Sequence, residues 1–228
     1  MLIPLTRKTF DQLVPKVGTA DQYRYCWGSP ADLLRRVLIS VAGLTGVFAL
    51  RYLLGDASVP FAFVAGTIFG LYWLWSPVYF ASRRNAGLRR NSYSGFWRGR
   101  VLDAYVTNDV TGTEETVDKR GDLVIVENRE RRLNLELGDR TGFVTQFQVP
   151  LQKDHRLIRP GDFAEMIVTS NREDLGRISA ISDIYIPDAK LWVSDYPYLR
   201  KDIFVEVRQQ LRRQQQRRSP PPPEPVWE

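Results

Sequence analysis

The chain has 228 residues, 43% hydrophobic and 25% charged, which is close to the globular average and excludes a disordered protein. A single cysteine, Cys26, and a single histidine, His155, exclude a disulfide scaffold and a Cys/His zinc module. The net charge of +6 is uneven: residues 1–100 carry 13 Lys+Arg against 4 Asp+Glu, residues 101–190 carry 12 against 17, and residues 191–228 carry 7 against 5, so the middle is acidic and no nucleic-acid partner is expected.

Residues 1–34 are too polar to cross a bilayer. Phe10, Leu13 and Val14 fall at helical spacing after a possible Thr9 cap, and Tyr23, Tyr25 and Trp27 add an aromatic group. With Arg7, Lys8 and Lys16 alongside, this reads as an interfacial segment on a membrane surface, or as one packed on the soluble domain.

The mean hydropathy of −0.29 hides a block of apolar sequence over 35–90. Its two runs, 37–54 (VLISVAGLTGVFALRYLL) and 59–80 (VPFAFVAGTIFGLYWLWSPVYF), each approach the roughly 20 residues that a bilayer core demands. Only GDAS joins them, which predicts a transmembrane helical hairpin. Arg51 lies near enough to the end of its run to snorkel. Arg35 and Arg36 before the first run, and Arg83, Arg84, Arg89 and Arg90 after the second, predict that both termini face the cytoplasm or stroma and Asp56 the opposite side. Ala62, Gly66 and Gly70 recur every four residues, as do Ala42 and Gly46, a spacing that lets helices pack closely, within the hairpin or against a larger membrane protein. Tyr72, Trp73, Trp75, Tyr79 and Phe80 form an aromatic belt at the cytoplasmic end.

After Gly95 the pattern changes to short alternating runs. Strands are expected at 97–106, 122–126, 132–137, 142–150, 162–170 and 177–186, with turns at Gly112, at 119–121, at Gly138-Asp139, at Arg159-Pro160-Gly161 and at Asn171. Five or six strands without a long helix predict a small closed β-barrel over 95–190, OB-like or alternatively SH3-like. Segment 109–122 reads as an acidic loop, and 127–132 as a solvated turn. Over 191–217 a C-terminal arm leads into an amphipathic helix with Asp202 as cap and Ile203, Val207 and Leu211 on one face. The Pro-rich residues 218–228 predict a disordered tail.

No phosphate loop, serine elbow or metal-ligand spacing is present, so no catalytic residue, cofactor or metal is expected. His155 beside Asp154 reads as a loop histidine, and Glu114, Glu115, Asp118 and Asp122 match no calcium loop. Glu114, Glu115 and Asp118 instead form a candidate surface for a basic patch on a partner protein.

The stretches MLIPLTRKTFDQLVP, GLYWLWSPVYFASRRN, YSGFWRGRV, GTEETVDKRGDLVIVENRERRLNLELGD and SDIYIPDAKLWVSDYPYLR resemble a family of cyanobacterial and plastid membrane proteins. The likeness runs to about Arg213. It implies a setting, the photosynthetic (thylakoid or plasma) membrane, and no residue role. Some members carry a phosphate-transporter permease label, but two unbroken spans without an intramembrane carboxylate or internal repeat do not build a pathway alone. The reading is a non-enzymatic assembly or accessory factor that holds an acidic barrel at the membrane and binds an integral membrane complex, such as a photosystem or its assembly intermediate. A subunit of a membrane transporter and a ligand-binding or enzymatic barrel are the alternatives.

Overall fold

The computed structural model describes residues 1–55, 58–117 and 123–218. Asp56, Asp118, Asp122 and the tail 219–228 lie outside the described residues. The chain divides into two compact units, Met1–Leu5 with Arg90–Pro197, and Thr6–Arg89 with Tyr198–Glu228.

The second unit is helical. Helix α1 (Arg7–Leu13) is capped by Thr6, whose hydroxyl accepts from Thr9 N, one turn earlier than the expected Thr9 cap. Phe10, Leu13 and Val14 are completely buried, so the apolar face of α1 packs inside its own unit. Thr19 and Gln22 form a reciprocal capping box that opens α2 (Ala20–Trp27). A second box, Ser29 with Asp32, and Pro30 at the first helical position start the long α3 (Pro30–Leu54), which ends at Gly55 with φ 72°. The return limb is not the single helix expected over 59–80. It is α4 (Val59–Gly70), a break at Leu71, and α5 (Tyr72–Arg89), bent by 70°. The C-terminal α6 (Lys201–Arg218) buries Phe204 and Val207 and packs beside α1, where Arg200 N donates to Leu13 O at 2.9 Å.

A buried amide pair ties this unit together. Gln22 Nε2 donates to Asn85 Oδ1 at 3.1 Å and Asn85 Nδ2 donates to Gln22 Oε1 at 2.8 Å. The same two amides reach Tyr198 O and Pro15 O, which fixes α2, α5 and the C-terminal arm to one another.

The first unit is an antiparallel sheet of seven strands in the order β4-β3-β2-β5-β6-β7, with β1 also paired to β2. The strands are β1 (Leu2–Leu5), β2 (Tyr93–Val117), β3 (Leu123–Gly138), β4 (Val144–Pro150), β5 (Phe163–Ser170), β6 (Ala180–Ile186) and β7 (Leu191–Val193). Among the described residues no ladder joins β4 to β7, so the sheet is open and the closed barrel, OB-like or SH3-like, is corrected. Leu151, Ile158 and a 3-10 turn (Lys153–Leu157) that packs on β7 fill that side instead. Alternate residues Trp97, Val101, Leu133, Leu135, Leu137, Met166, Val168, Ile184 and Ile186 build one continuous core.

The described parts of the segments read as an acidic loop and a solvated turn, 109–117 and 127–132, are β-structure. From Asn108↔Arg131 to Val117↔Leu123 the β2–β3 ladder runs without a third strand, because β5 ends opposite Arg100 and β4 ends opposite Arg132. The result is a two-stranded ribbon about 35 Å long, at about 3.3 Å per residue.

Candidate membrane and partner-binding surfaces

Among the described residues α3 alone is by itself long and apolar enough to cross a membrane; α4 and α5 meet that test only as a bent pair. At about 1.5 Å per residue α3 is about 37 Å long and α4 about 18 Å, less than the roughly 30 Å hydrocarbon core. Leu38, Val41, Phe48, Leu53, Phe61, Phe63, Val64 and Ile68 are all exposed. At the base of α3, Arg36 is buried, with its guanidinium donating to the carbonyls of Cys26, Trp27 and Asp32 and lying over the Trp27 ring. Tyr72, Trp75, Tyr79 and Phe80 form a chain of edge contacts, and Trp73 makes a separate one with Trp27 of α2.

The small residues divide unequally. Gly66 and Gly70 lie toward Leu44 of α3, at 3.8 and 3.6 Å from where a Cβ would sit, and with Ala62 they line a groove of about 610 Å³ that has Arg51 at one end. On α3, Ala42 is exposed and nothing lies within 4 Å of a Cβ at Gly46. The close approach is made by Gly43, where a Cβ would overlap the Phe69 ring. Gly43 breaks the four-residue spacing and so escapes a search for it.

The ribbon carries the acidic candidate positions Glu114 and Glu115. Glu114 pairs with Val126 and Glu115 with Ile125, so the two positions alternate between its faces and do not form one patch. Arg131 O accepts from Leu151 N, which shows that odd-numbered residues of β3 aim their backbone groups away from β2. Beyond Arg131 the odd positions Ile125, Glu127 and Arg129 therefore present an unpaired sheet edge. Leu123 and Ile125 are 69% and 62% exposed and Val110 is half exposed, all on the face that continues the core.

His155 lies in the 3-10 turn of the connection between β4 and β5. It is 3% exposed, and Gln152 N donates to Nδ1 at 3.2 Å, which puts the proton of the neutral ring on Nε2. Burial lowers its pKa, against the opposing Asp154 charge. Among the described residues no cluster of His, Cys, Asp and Glu could hold a metal ion.

Sequence reading missed a cleft of about 820 Å³ in the sheet unit, lined by Leu2, Arg98, Arg100, Leu102, Arg140 and Phe163. Its one carboxylate is Asp139, on which Trp97 Nε1, the Thr141 hydroxyl and backbone N–H, and the Met1 amino group converge. Burial would raise its pKa, but these donors hold it at about 2. No local motif announces the cleft, because β1, β2, the 139–141 turn and β5 meet only through sheet pairing.

The profile of a family described as a family of unknown function (DUF8619) matches residues 3–216. Neither a curated protein nor a solved structure matches the chain.

Proposed function

The chain belongs to the DUF8619 family, and from that premise we propose a non-enzymatic, membrane-anchored accessory or assembly factor that binds a larger membrane complex at its cytoplasmic or stromal face. The observation that carries this reading is the ribbon, which exposes Leu123, Ile125 and Val110 and, among the described residues, pairs with no third strand. A two-stranded hairpin is marginally stable alone, so one held out this far is suited to pairing with another protein. The exposed apolar surface of α3 and α4 supports a membrane anchor, and the basic residues around α5 favour the cytoplasmic or stromal side for both termini. The likeness to cyanobacterial and plastid proteins favours a photosynthetic complex as the partner. The bent limb adds a broken helix, a feature of transporters, but its lining groove is apolar with Arg51 the one ionisable group, which favours anchorage over a solute path.

The register defines the test. Thr107 and Arg132 face one another, so replacing 108–131 by Asn-Gly closes a two-residue hairpin and leaves the sheet intact. The shortened protein should stay in the membrane fraction after a high-salt wash and lose its co-purifying membrane complex in mild detergent. Retention of that complex would refute the docking role; release of the full chain by the wash would refute the anchor.

A further inference from the structure

The cleft in the sheet unit gathers three arginines, Arg98, Arg100 and Arg140, beside one carboxylate, Asp139. Arg98 and Arg100, two apart on β2, project to the same side, and both guanidinium groups lie over the Phe163 ring, at 4.4 and 4.6 Å from its centre. Phe163 is there because Arg100 and Phe163 are paired residues of β2 and β5, and Arg98 pairs with Glu165. Glu165, with a side chain 1% exposed, compensates Arg98 at 3.5 Å. Asp139 is occupied by the donors described above. Arg100 donates to the Gly161 carbonyl at 3.1 Å, a neutral acceptor, and Arg140 is exposed at the rim. Among the described residues neither Arg100 nor Arg140 forms an ion pair, and both guanidinium groups line the cleft. The remaining walls are apolar: Leu2, the half-exposed Leu102 and the Phe163 ring, with Gly99 and Gly138 in the lining.

We propose that this cleft binds an amphipathic anion, its phosphate, sulfonate or carboxylate head received by Arg100 and Arg140 and its apolar body laid along Leu2, Leu102 and Phe163. The chemistry fits in three respects. Planar guanidinium groups bind such heads bidentately, and the stack on Phe163 fixes Arg100 in advance. Apolar walls lower the local dielectric and strengthen the attraction. The volume of about 820 Å³ lies within the usual range for small-molecule sites, roughly 300–1,000 Å³. An anionic membrane lipid and a soluble amphiphile share this chemistry.

The test is calorimetric titration of the full chain in an uncharged maltoside detergent. The probes are dihexanoyl phosphatidylglycerol, dihexanoyl phosphatidylcholine, glycerol phosphate and decyl phosphate. The first should bind saturably at one site, at least tenfold tighter than the zwitterionic lipid or the bare head. Arg100→Gln with Arg140→Gln should weaken it at least tenfold, with the melting temperature unchanged. Should that pair fail to fold, Leu102→Asp at the exposed bulge position should abolish binding just as well. Equal affinity for the two lipids, or wild-type affinity in a folded variant, would overturn the proposal. Binding to phosphatidylglycerol in nanodiscs identifies a membrane lipid as the source, and binding to decyl phosphate without nanodisc binding identifies a soluble amphiphile.

Discussion

The backbone N–H of Trp73 donates to the Ser40 hydroxyl at 3.2 Å, which ties the first turn after the break in the return limb to α3. A helix start leaves N–H groups without an intrahelical partner, and here a side chain from the neighbouring helix supplies one. Ser40 is buried, so water cannot replace it. Ser40→Ala should cost about 1–3 kcal/mol, read as a lowered melting temperature in detergent, while Ser40→Thr keeps an acceptor. An unchanged melt for Ser40→Ala would show that the bend holds without this bond.

Close packing of α3 on α4 rests on Gly43. Gly43→Leu should disrupt the hairpin, since its side chain would occupy the place of the Phe69 ring, whereas Gly46→Leu points into open space and should be tolerated. Gly66→Leu falls between them, because the groove has room but Leu44 must move. Protease resistance of the three variants in micelles gives the order, and equal sensitivity of Gly43→Leu and Gly46→Leu would contradict it.

What was legible in the sequence follows from how local each signal is. Pro30, Gly55 and an uninterrupted apolar run make α3 readable, and Arg159-Pro160-Gly161 announces the turn into β5. The break at Leu71 is not readable, because the apolar run continues through it and its stabilising contact lies on Ser40, over thirty residues away. Strand β1 is four residues long and contains Pro4, which only its pairing with β2 rescues. Sequence alone reads the ribbon as an acidic loop, a strand at 122–126 and a turn, because its sequence carries no sustained alternation of apolar and polar residues, and Gly112 sits at a bulge and not at a turn. The cleft depends on four segments that only the sheet brings together.

His155 predicts a pH dependence. Its folded pKa is depressed below the ordinary 6.5 by burial, so the unfolded chain takes up the proton first as pH falls. The stability it contributes is complete above pH 6.5 and declines as the solution becomes more acidic. His155→Gln should flatten the melting temperature between pH 7 and 5, and an equally steep profile in the variant would assign the slope to other groups.

Asp139 acts lower on the scale. With its carboxyl at about 2 in the fold and near 3.8 when unfolded, its contribution is complete above pH 4 and is lost as pH falls toward 2. Asp139→Asn keeps an acceptor for Trp97 but loses the charge that holds the Met1 amino group. The variant should be less stable at neutral pH and should approach the wild type near pH 2. A stability difference independent of pH across that window would mean that packing, and not charge, is what Asp139 supplies.

The ribbon offers two faces, and a partner that docks on one should be sensitive to that face alone. Glu115 pairs with Ile125 on the face where Leu123 and Ile125 are exposed, and Glu127 and Arg129 form an ion pair at 2.8 Å there. Glu114 belongs to the opposite face by the alternation of the ladder. Apolar side chains in a ring of charges make the first face the stronger docking surface, since buried apolar contact supplies affinity and the rim mainly steers association. Ile125→Asp should therefore abolish co-purification of the membrane complex at any salt concentration. Glu115→Gln should weaken it several-fold at low salt and little at high salt, where the Debye length shrinks to a few ångströms, about 3 Å at 1 M. Glu114→Gln should change neither. Equal losses from Glu114→Gln and Glu115→Gln would mean that the partner grips the ribbon edge or both faces, and an unaffected Ile125→Asp would move the docking surface off the ribbon altogether.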